Sequence, residues 1–96
     1  MTREDTLAIL RQVKKEYAGQ YGILEIGIFG SVGRGEARED SDVDICVKTL
    51  TPNPFNLVHL KELLEARLHK PVDIVRVREN MNPYLKERIE RDAQYV

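Results

Sequence analysis

The chain has 96 residues, of which 42% are hydrophobic and 32% charged, and its formal net charge is −1. This is enough chain for a single domain over residues 1–96 with one modest core, and too apolar to stay disordered. The near-neutral balance argues against broad nucleic-acid binding, which needs a basic face, and leaves room only for a local basic patch.

A lone cysteine, Cys46, excludes an internal disulfide and any Cys-based metal motif, and sets the expectation of a reducing, cytoplasmic setting. No stretch approaches the length of a transmembrane helix, so no membrane partner is expected. The opening "MTREDTLAIL" is broken by charges, unlike a signal peptide.

Thr2 to Tyr21 reads as an amphipathic helix, with Leu7, Leu10, Val13, Tyr17 and Tyr21 at helical spacing and Gly19 and Gly22 at its end. "ILEIGIFG" is short, β-branched and bounded by glycines, which predicts a strand. "SVGRGEAREDS" reads as a loop. "DVDICVK" alternates strictly and predicts a second strand. "TLTPNPFN" is rich in breakers, with Asn53 a helix cap and Pro54 a first helical residue.

Leu57, Leu60, Leu64 and Leu68 then mark a helix from Pro54 to about His69. "PVDIVRV" predicts a third strand. Asn82 and Pro83 repeat the cap-and-proline signal before a last helix carrying Leu85 and Ile89. The order α-β-β-α-β-α predicts a small α/β sheet with helices on one face, the other face left open for chemistry or a partner.

Two aspartates interrupt the second strand. Strand parity puts Val43, Ile45 and Val47 on one face and Asp42, Asp44, Cys46 and Lys48 on the other. Residues two apart rise roughly 6.5 Å along a strand, so both carboxylates can converge on metal ions. Like charges this close repel, and a cation removes that cost. Oxygen donors without His or Cys suit magnesium or manganese. Asp73 interrupts the third strand in the same way and reaches the same site if the two strands are neighbours. Each aspartate alone is more often structural; three together, behind a glycine-rich loop, point to a site.

That loop is "GSVGRG". Gly30, Gly33 and Gly35 permit close backbone approach, Ser31 offers a hydroxyl and an N–H, and Arg34 adds a positive charge. The pattern suits phosphate. It lacks the Walker A ending and the dinucleotide-binding spacing.

Gly30-Ser31, ten residues, then Asp42-Val43-Asp44 resembles the signature of the DNA polymerase β-like nucleotidyltransferases. The chain is similar to their smallest branch, the minimal nucleotidyltransferase (MNT) proteins, from its first helix to its third strand. The resemblance rests on "GSVGRG", "SDVD" and "VDIV" in combination. It implies an α/β (α+β) fold of the polymerase β palm type, with about three to four strands in a mixed sheet and helices packed on one face.

It also implies roles by position. Gly30 and Ser31, with Arg34, would hold the phosphates of ATP. Asp42 and Asp44 would be the magnesium or manganese ligands. Asp73 would be the third carboxylate, helping to deprotonate the acceptor hydroxyl. Family members often carry alanine where this chain has Gly33.

Larger relatives carry acceptor-binding domains, for which 96 residues leave no room. The resemblance implies an antitoxin that transfers AMP from ATP to a tyrosine of a HEPN-domain toxin. The alternatives are an antitoxin that neutralises by binding alone, and a nucleotidyltransferase with a small-molecule acceptor. His59 and His69 read as surface or boundary positions rather than metal ligands, and Cys46 as a packed, inert thiol. Lys48 reads as a phosphate contact or a solvated strand end, and Tyr84 and Tyr95 as packing or interface residues. Arg88 and Arg91 sit on a solvated or partner-docking helix face.

Overall fold

The computed structural model describes residues 2–30 and 42–96. Ser31 and Arg34, and the rest of the predicted loop, lie outside the described residues. The first helix, α1, is Arg3–Tyr21. Thr2 caps it through a reciprocal box: Thr2 Oγ1 accepts from the Asp5 N–H at 3.1 Å, and Asp5 Oδ2 accepts from the Thr2 N–H at 2.9 Å. Gly22 ends it in the left-handed region at φ 64°. Gly19, expected at the helix end, lies inside its last turns.

The helix passes directly into β1 (Ile23–Phe29). The next described strand is β2 (Val43–Thr49). Asn53 then caps α2 (Pro54–Leu68), its Oδ1 accepting from the N–H groups of Phe55 and Asn56. His69 takes the left-handed capping position at φ 56°, an uncommon place for a residue other than glycine. The third strand, β3 (Val72–Arg76), leads through a short connection to α3 (Pro83–Asp92). Asn82 caps α3 through the N–H groups of Tyr84 and Leu85. The chain ends on a two-residue strand, β4 (Gln94–Tyr95).

The strands form one mixed sheet in the order β3-β2-β1-β4. β1 runs antiparallel to β2 and to β4, while β2 and β3 are parallel. The parity predicted for β2 holds. Val43, Ile45 and Val47 are buried, and they share a core with Ile26 and Ile28 of β1. Leu10 and Val13 of α1, and Leu60, Leu64 and Leu68 of α2, cover that face. An ion pair of 2.9 Å between Arg67 and Glu16 ties the two helices together at the surface.

The second face is not wholly open. Ile89 of α3 packs with Phe29 and Cys46 in a small separate cluster, joined by Leu85, Val75 and Val77. The leucine and isoleucine spacing of α3 is legible in the sequence, but the sheet face it chooses depends on contacts far apart in the chain. Gly27 makes β4 possible: a Cβ there would run into the backbone of Gln94 and Tyr95, so only glycine admits the last strand so close.

Candidate active site

The three predicted carboxylates fall at one end of the sheet, on the face that carries α3. Asp44 is the register partner of Phe29 on β1 and of Asp73 on β3. Directly paired residues point to the same side of a sheet. Asp44 and Asp73 therefore stand side by side on strands about 4.8 Å apart. Asp44 is half-buried and Asp73 exposed. Asp42 shares their parity, immediately ahead of β2, and is exposed.

Gly30 follows β1 directly, in the left-handed region at φ 69°. A Cβ added there would collide with Asp44 Oδ2. The glycine thus does two things: it turns the chain out of β1, and it leaves room for the carboxylate that leans over it. Gly30 and Asp44 form one structural unit, although thirteen residues separate them in the chain.

Among the described residues, no three His, Cys, Asp or Glu side chains close into a set that could hold an ion by themselves. The structure brings Asp44 and Asp73 together and leaves Asp42 one strand step away. Such a pair suits a hard cation that takes only one or two carboxylates from a protein and completes its shell with phosphate and water oxygens, as magnesium does. Two neighbouring anionic side chains also favour a cation on electrostatic grounds.

Farther along the same face lie Cys46 and Lys48. Burial pushes the Cys46 thiol above its ordinary range, so it is a protonated, packed thiol, as predicted. The Tyr95 hydroxyl donates to its sulfur, and burial drives the Tyr95 pKa upward as well. Lys48 pairs with Glu25 at 3.1 Å and sits 5.0 Å from the centre of the Tyr95 ring. It is four residues beyond Asp44, roughly 13 Å along the strand, and is engaged there rather than at the carboxylates. Tyr84 is 79% exposed, a surface residue rather than a packing one. His59 and His69 are both exposed, as expected.

Arg88 lies closer to the site than its helical pattern suggests. Its guanidinium is 5.8 Å from the centre of the Phe29 ring, at the Asp44 end of the face. No sequence signal marks that placement, because it depends on where α3 docks.

Comparison with known proteins identifies the family and the fold. The nucleotidyltransferase domain family matches residues 9–96. Protein adenylyltransferase MntA of Thermococcus cleftensis is 40% identical over 97 residues, spanning 100% of this chain and 97% of its own length. A solved structure of a candidate minimal nucleotidyltransferase is 37% identical, with a TM-score of 0.77 over 98% of this chain and 95% of that one. The same fold recurs at 18% identity, with a TM-score of 0.72, in the complex of a tri-AMPylated Shewanella oneidensis HEPN toxin with its MNT antitoxin. That match covers 98% of this chain and 71% of the other. Among the described residues, no helix is long and apolar enough to cross a membrane.

Proposed function

The chain belongs to the nucleotidyltransferase domain family, and from that premise we propose that it is the antitoxin of a toxin–antitoxin pair, transferring AMP from ATP to a tyrosine hydroxyl of a HEPN-domain toxin. The observation that carries this reading is the register Phe29–Asp44–Asp73, which sets two carboxylates beside the Gly30 turn at the end of β1. Its support from outside the chain is the adenylyltransferase name of the 40% identical relative. The AMPylated toxin bound by a protein of the same fold supplies the acceptor class.

The roles divide by position. Asp44 and its register partner Asp73, with Asp42 one step along the chain, would hold magnesium. When bound, magnesium neutralises the triphosphate and stabilises charge on the entering and leaving oxygens. Gly30, with Ser31 and Arg34, would seat the phosphates. Asp73, the outermost and most exposed of the paired carboxylates, faces an acceptor arriving along β3 and takes its proton. The acceptor oxygen bonds to the α-phosphorus, the bond to the β-phosphate oxygen breaks, and pyrophosphate leaves. Little covalent work is asked of the protein, which suits so small a set of residues. One minimal domain over residues 1–96 carries all of it, in a cytoplasmic setting that keeps Cys46 reduced.

The test is AMP transfer from ATP to the purified toxin by the wild type, Asp42→Ala and Asp44→Ala. Transfer by the wild type and loss in both variants is the expected result. Undiminished transfer by both variants would overturn the site.

A further inference from the structure

The cations of α3 and of the neighbouring strand are mostly taken up. Lys86 pairs with Glu79, Arg91 with Asp92, and Lys48 with Glu25. Arg88 differs. Among the described residues no carboxylate or carbonyl holds its guanidinium, which rests instead over the face of Phe29. An aromatic face steadies a guanidinium without using its N–H donors, so the whole donor fork stays available to an anion. The ring itself is fixed: Phe29 is 2% exposed and clamped between Ile89 and Cys46.

The sheet order gives this cation a direction. Across the site run Asp73 on β3, Asp44 on β2, and Phe29 with Arg88 above it on β1. In phosphoryl transfer the attacking and leaving oxygens are roughly in line through phosphorus. An acceptor deprotonated on the Asp73 side drives its leaving group out on the opposite side, toward β1. Gly30, the phosphate-seating turn, is also on that side.

We infer that Arg88 binds the β- and γ-phosphates of the nucleotide and stabilises the departing pyrophosphate, a role that rests on the nucleotidyltransferase reading. A planar, bidentate donor suits the charge that builds on the bridging oxygen as its bond to the α-phosphorus breaks.

The experiment measures ATP and AMP binding by calorimetry, and the kcat and KM of AMP transfer, for the wild type, Arg88→Met, Arg88→Lys and Arg88→Ala. Arg88→Met keeps the apolar stem over Phe29 and removes only the charge. The expected result is at least a tenfold loss of ATP affinity and a lower kcat in Arg88→Met, with AMP affinity unchanged and partial recovery in Arg88→Lys. If Arg88→Met binds and turns over ATP like the wild type, the residue only packs and the assignment falls. A loss equal for ATP and AMP would place Arg88 away from the pyrophosphate end and would also overturn it. Failure of the wild type itself to bind ATP would remove the nucleotidyltransferase reading, an outcome distinct from a normal wild type with an indifferent Arg88.

Discussion

The Asp44 carboxylate occupies the space that a Cβ on Gly30 would need. Gly30 is also in the left-handed region, where an L side chain costs about 1–2 kcal/mol. Gly30→Ala therefore carries two penalties, one in the backbone and one that pushes Asp44 out of place. Denaturant unfolding should show a stability loss of about 1–2 kcal/mol, and AMP transfer should fall much further than stability alone explains. Wild-type transfer rates in a stable Gly30→Ala protein would mean that Asp44 does not need its observed position.

Asp44 and Asp73 are like charges in register on adjacent strands. Without divalent cations, Asp73→Asn should leave the melting temperature unchanged or raise it, because a repulsion is removed. Its AMP transfer should fall by about 10²-fold or more, the usual range for a lost general base. Magnesium should raise the wild-type melting temperature, since a cation at one hundred times its Kd adds about 2.7 kcal/mol. That rise should vanish in Asp44→Asn. An equal rise in both proteins would place the cation elsewhere.

Ile89 is the buried anchor that holds α3 against Phe29 and Cys46. Removing a buried isoleucine side chain to alanine costs about 2–5 kcal/mol. In so small a domain, Ile89→Ala should lower the denaturation midpoint sharply, and it should loosen Arg88 together with the helix. A loss below about 0.5 kcal/mol in equilibrium unfolding would show that α3 is not docked as described.

Alkaline pH acts through Cys46 and Tyr95, whose folded pKa values are both raised, chiefly by burial. In each case the neutral form is favoured in the folded state. The stability this supplies is fully present below the unfolded pKa and is lost as pH rises through the folded value. Loss should thus begin near pH 8.5 for the thiol and continue above about pH 10 for the phenol. Stability measured from pH 7 to 10.5 should fall for the wild type. In Cys46→Ala the portion that begins near pH 8.5 should be missing, and persistence of that portion would exclude the thiol as its source.

Local signals in the sequence account for much of this architecture. Asn53-Pro54 and Asn82-Pro83 mark two helix starts because cap and proline act locally, through nearby N–H groups and a fixed φ. Strand parity alone separates Val43, Ile45 and Val47 from Asp44 and Cys46. What the sequence does not reveal depends on register between distant segments. β4 has only two residues and no pattern, and it exists because Gly27 admits its backbone. The partnership of Gly30 with Asp44 follows from pairing Phe29 with Asp44, which no spacing encodes. Arg88 is one more charge on a polar helix by its spacing, and only the docking of α3 lays it against Phe29.

The most direct measurement is the intact mass of the proposed HEPN-domain partner after incubation with this protein, ATP and magnesium. Mass gain in AMP-sized steps, abolished by Asp44→Ala and traced to a tyrosine by peptide fragmentation, is the predicted result. A toxin whose mass does not change although it is bound and neutralised would contradict catalysis, and would leave Asp42, Asp44 and Asp73 without a chemical role in neutralisation.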